Sequence, residues 1–89
     1  MKAIISVIGL DQIGIIAEVS TILAEEKVNI LDISQTILND YFTMTMLINL
    51  DEVDISLEEL KKKLQETGDR LGVSIKLQHE EIFRSMHRI

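Results

Sequence analysis

The sequence predicts a single α+β domain in which a four-stranded antiparallel sheet carries two helices on one face. Apolar residues recur with strand period in four segments and with helical period in two, in the order strand, helix, strand, strand, helix, strand. Asn39-Asp40 stands between the second and third strand segments with the chemistry of a hairpin turn. A length of 89 residues suits one core and is too short for two.

The first strand, Lys2 to Gly9, is apolar on both faces through Ile4, Ile5, Val7 and Ile8, as expected of a central strand. In the helix that follows, Ile15 to Ala24, Ile15, Val19, Ile22 and Leu23 fall at i, i+4, i+7 and i+8 and form one buried stripe, with Glu18, Glu25 and Glu26 facing water. Asn29 to Leu38 reads as the second strand, with Leu31, Ile33 and Ile37 at even spacing. Tyr41 to Leu50 then alternates through Phe42, Met44, Met46, Ile48 and Leu50.

Ser56-Leu57-Glu58-Glu59 has the spacing of a capping box. Leu57, Leu60, Leu64 and Leu71 continue as a helical stripe, and Gly72 suits a left-handed C-terminal cap. Val73 to Gln78 gives the fourth strand through Val73, Ile75 and Leu77, and from Glu80 onward Ile82, Phe83, Met86 and Ile89 predict a short amphipathic helix. The domain therefore spans 1–79, followed by a helical tail over 80–89. Two right-handed crossovers around a hairpin make this a ferredoxin-like βαββαβ sandwich.

Composition excludes several function classes. Fifteen acidic against nine basic residues give a net charge of -6, which opposes binding to nucleic acid or an anionic membrane surface. The one basic run, Lys61-Lys62-Lys63, lies in a helical pattern beside Glu58, Glu59 and Glu66, where pairing on a solvated face accounts for it. The absence of cysteine removes disulfides, thiolate metal sites, a cysteine nucleophile and the soft-metal carriers built on this fold. Two Phe and one Tyr do not make an RNA-stacking sheet. An acyl-phosphate hydrolase needs an arginine in the first loop, where this chain has Asp11 and Gln12.

Ser20, Ser34 and Ser85 have no base and orienting partner at motif spacing, so no enzyme activity and no cofactor is expected. His79 and His87 would lie about 12 Å apart along a helical path, too far to share a metal ion, so no metal site is expected either. Met44 and Met46 read as core filling. Ser6 and Asp11 interrupt the N-terminal apolar stretch, which falls short of a signal peptide or membrane span, and a cytoplasmic protein is expected. Apolar types make up 46% of the chain, a share that points to contact with a second subunit.

What remains is the junction Asp11-Gln12-Ile13-Gly14, where the first strand turns into the first helix. A loop that opens a helix presents unpaired N–H groups at the positive end of the helix dipole, so it can hold a carboxylate without a basic side chain. Each residue here has two readings. Asp11 either caps the helix or meets a ligand, Gly14 either relieves crowding or admits a ligand closely, and Asn29 is either a turn residue or a ligand contact.

An acidic residue followed three positions later by glycine, Asp11 and Gly14, together with Asn29-Ile30 at the entry to the second strand, resembles the ACT domain over about residues 1–79. The tail Ile82-Phe83-Arg84-Ser85-Met86-His87-Arg88-Ile89 resembles the ending of a family of short stand-alone single ACT domains, related to regulators of the glycine cleavage system. ACT domains pair so that two sheets join or pack, and small ligands, often amino acids, lie between the first loop of one copy and the second strand of its partner.

The resemblance thus implies a homodimeric, amino-acid-binding regulatory module with Asp11, Gln12, Ile13, Gly14, Ile15, Asn29 and Ile30 at its ligand site. Backbone N–H groups of Ile13 to Ile16 would receive the carboxylate, Asp11 the ammonium group, and the partner's Asn29 would offer its amide as donor and acceptor. Many ACT domains place proline before the loop glycine; here that residue is Ile13, which leaves the helix start less fixed. The alternative is a ligand-independent module that docks on a partner enzyme through its tail, with Arg84 and Arg88 offering a contact to an anionic group.

Overall fold

The computed structural model describes residues 1–81. Its elements are β1 (Lys2–Leu10), α1 (Ile15–Glu25), β2 (Asn29–Leu38), β3 (Tyr41–Asn49), α2 (Leu57–Leu71) and β4 (Val73–His79). The strands lie in the order β2-β3-β1-β4, every neighbouring pair antiparallel. This is the expected ferredoxin-like βαββαβ sandwich. Of the helical tail expected over 80–89, residues 82–89 lie outside the described residues.

The alternation in the sequence sorts the two faces of the sheet. Ala3, Ile5 and Val7 of β1 and Phe42, Met44, Met46 and Ile48 of β3 are buried on the helix side, where they meet Ile15, Val19 and Leu23 of α1 and Leu60 and Leu64 of α2. On the other face Ile8, Leu10 and Tyr41 are more than half exposed. Burying such large side chains, at roughly 1.5–3 kcal/mol each, is the main source of the fold's stability.

Local chemistry places the ends of the elements. Ser56 Oγ accepts from the Glu59 N–H at 3.1 Å, as its capping-box position predicts, and Gly72 ends α2 in the left-handed conformation at φ 75°. Lys27 (φ 60°) follows α1 and Asn39 (φ 57°) opens the β2–β3 turn. Lys63 departs from the expected same-helix pairing. It crosses to Glu26 of α1 at 2.8 Å, as Arg70 crosses to Glu18 at 3.0 Å, and only Lys61 stays within α2, 3.9 Å from Glu58.

β2 differs from its expected pattern. A bulge between Ile30 and Asp32 makes Leu31 an extra residue, so Ile30 and Ile33 share the helix-side face opposite Ile48 and Met46. As the outermost strand on its side, β2 lies beyond the cover of the helices, which leaves Ile33 45% and Ile37 56% exposed.

Candidate ligand-binding site

The first loop is fastened on both flanks. The Asp11 N–H donates to the carbonyl of Asp40 in the β2–β3 turn at 2.7 Å, and the Gln12 side-chain amide donates to the carbonyl of Leu71 at the end of α2. Gly9, just before the loop, pairs with Val73 of β4. A Cβ there would lie 2.5 Å from Val73 Cγ1 and 3.0 Å from its Cα, so only glycine lets β1 and β4 run this close beside the loop.

At the start of α1, Gly14 occupies the N-cap with φ 98°, and no side chain caps the helix. Asp11 therefore does not cap it. The first intrahelical bond runs from the Glu18 N–H to the Gly14 carbonyl at 2.9 Å, so the N–H groups of Ile15, Ile16 and Ala17 precede the helical ladder. Nothing lies within 4 Å of a Cβ placed on Gly14. Its role is the left-handed turn, which a larger residue would strain, and it does not relieve crowding.

The fold sorts the seven expected residues by what each can offer. Asp11 and Ile13 are exposed, Ile13 completely at 101%. The Gln12 amide is already engaged with Leu71. Ile15 is buried in the core, so its contribution is its N–H group. Ile30 packs against the core on the helix side, and Asn29 is exposed at the first position of β2, paired with Asn49.

Asp11 to Ile15 lie together, but Asn29 and Ile30 do not join them. The loop sits at the end of the sheet where Leu10, Tyr41 and Leu38 align, whereas Asn29 begins β2 at the opposite end, roughly 30 Å away at about 3.3 Å per residue. Sequence reasoning missed Gly9 and the anchoring role of Gln12. Their partners, Val73 and Leu71, are about 60 residues distant in the chain, and no local signal marks them.

Among the described residues, no cluster of three or more His, Cys, Asp or Glu side chains is placed to hold a metal ion. No helix among them is long and apolar enough to cross a membrane.

The sequence and fold both place this chain among known proteins. A UPF0237 protein of Clostridium acetobutylicum is 61% identical over 89 residues, the full length of both chains. The solved structure of an ACT domain protein from Streptococcus pneumoniae matches with a TM-score of 0.81 at 43% identity, over 93% of each chain. A putative glycine cleavage system transcriptional repressor shares the fold at 22% identity with a TM-score of 0.74, covering 86% of this chain and 43% of that one. The profile of the ACT domain matches residues 2–78, and the chain belongs to the ACT domain family, a family of regulatory, ligand-binding modules.

Proposed function

We propose that this ACT domain is a homodimeric regulatory module that binds a free amino acid between the first loop of one copy and β2 of its partner. One observation carries the proposal: the helix that follows Asp11 has no side-chain cap, leaving the N–H groups of Ile15, Ile16 and Ala17 to a carboxylate from outside the chain. Asp11, exposed beside them, suits the ammonium group. Gln12 acts here as an anchor for the loop, while Ile13 covers the apolar part of the ligand.

A second copy is needed because one chain holds Asn29 and Ile30 at the far end of β2. The open β2 edge supports that pairing, with Ile33 and Ile37 of β2 exposed along it. A ligand touching both chains ties binding to dimerisation. Membership of the ACT family supports the reading of the module as a regulator over an enzymatic one. The cysteine-free composition supports action in the reducing cytoplasm.

Thermal unfolding at fixed protein concentration against single amino acids tests the proposal. A ligand at about 100 times its dissociation constant adds about 2.7 kcal/mol. In a domain of this size each kcal/mol moves the midpoint by about 4–8 °C. A shift confined to a few amino acids and lost in Asp11→Ala supports the site; no shift with any amino acid contradicts it.

A further inference from the structure

The face of the sheet opposite the helices is covered at one end only. Along β1 its residues pass from Ile8, 53% exposed, through half-buried Ser6 to Ile4, 9% exposed. The neighbouring strands repeat the gradient, from exposed Thr43 to half-buried Leu47 in β3 and from exposed Lys76 to half-buried Gln78 in β4. Leu47 and Gln78 flank Ile4 in register, so the three make one patch. Neighbouring strands alone do not bury a side chain on an open sheet, as Ile8 between Thr43 and Ser74 shows. Ile4 stands apart from the core, and both helices, with Val53 and Ile55 ahead of α2, pack on the opposite face.

We propose that residues 82–89 fold back across this end of the sheet and cover Ile4 and Leu47. β4 finishes at His79, which pairs with Ala3 beside Ile4, so the chain leaves the sheet at the covered patch. The helix that the sequence leads one to expect spans about 12 Å over 82–89 at about 1.5 Å per residue. β3 lies about 10 Å from β4, two strand spacings away. The cover therefore reaches Leu47 and stops short of β2, whose Ser34 and Thr36 on the same face are exposed. Ile82, Phe83, Met86 and Ile89 recur at i, i+1, i+4 and i+7, the spacing of one apolar helical face. A stretch this short does not hold a helix by itself in water and needs a surface to lie on. It carries Arg84 and Arg88 and no acidic side chain, so the rest of an acidic chain attracts it.

Docked there, the tail is a cap on the domain's own sheet. It is not free to hook a partner enzyme, and it closes this end of the face to other apolar surfaces that would otherwise associate with it.

The chain contains no cysteine, so single cysteines report exposure directly. Ile4→Cys, Leu47→Cys and Thr43→Cys are alkylated with iodoacetamide in the full chain, each with the natural tail and with Phe83→Ser and Met86→Ser added. Leu47, only half-buried, reads out the patch independently of any loss of packing at Ile4. Breaking the apolar stripe of the tail is expected to speed labelling at positions 4 and 47 by about tenfold or more and to leave position 43 unchanged. Equal rates with both tails overturn the proposal. Faster labelling at all three positions also overturns it, because that reports a loosened domain and not an uncovered patch. Protection that fades on dilution overturns it too, and assigns the cover to the tail of a second copy.

Discussion

At the β4 edge of the sheet, Val73 and Leu77 are buried, Ile75 packs against the core, α2 lies along the strand, and Lys76 puts a charge on the exposed side. At the β2 edge, every residue from Leu31 to Leu38 is exposed, no lysine or proline interrupts the strand, and Ile33 and Ile37 remain about half in water. Open apolar edges invite pairing, and proteins ordinarily blunt them. The contrast separates two uses of the same secondary structure. The β4 side holds the domain together, and the β2 side is the one the proposed pairing with a second copy would use.

The largest effect is expected from damage to the β4 side alone. Gly9→Ala places a Cβ 2.5 Å from Val73 Cγ1 and 3.0 Å from its backbone Cα, and overpacking of this kind costs about 1–3 kcal/mol. Urea or thermal unfolding should show that loss in the folded chain itself. A midpoint equal to that of the natural protein would mean that β1 and β4 are not locked here.

Damage confined to the β2 side should do the opposite. Ile37→Lys puts a charge on a residue already 56% exposed, so the unfolding of the isolated chain should shift by no more than about 0.5 kcal/mol. The dimer constant measured by sedimentation equilibrium should weaken by about tenfold or more, corresponding to about 1.4 kcal/mol.

Ser56→Ala, remote from both edges, removes the cap on α2 and should cost about 1 kcal/mol without altering association, which unfolding and sedimentation check in parallel. The smallest effect belongs to the ion pairs between the helices. The Glu26 carboxylate hydrogen-bonds Lys63 and attracts its charge, raising that ammonium group above its ordinary value of 10.5. The pair's contribution is therefore complete below that value and is lost as the pH rises through the raised one. The small stability difference between the natural chain and Glu26→Gln should hold at neutral pH and close in strong alkali.

Most of the fold was legible in the sequence because β1, β3 and α2 announce their faces by period. Observed ends fall within a residue or two of expectation, as at Leu10, Glu25 and His79. β2 was legible as a strand, but its place at the edge was not, since Leu31, Ile33 and Ile37 would read alike in a covered strand. The bulge then set Leu31 apart from the other two.

The candidate site was legible as a locus but not in its divisions. Asp11 and Gly14 mark the loop, yet which residue caps the helix depends on the backbone at Gly14, and Gln12 depends on a carbonyl 59 residues away. Asn29 lies at the far end of β2 from the loop, and its contact with a loop in the proposed dimer would be made between chains, which no pattern within one chain records.

In the proposed dimer, ligand binding and β2 pairing are one event. Sedimentation equilibrium across a range of protein concentrations, with and without each amino acid, tests it most directly. A monomer–dimer equilibrium is expected that one or a few amino acids tighten by about tenfold or more, with the effect abolished in Ile37→Lys. A chain that stays monomeric at every concentration, or a dimer indifferent to every amino acid, would contradict it.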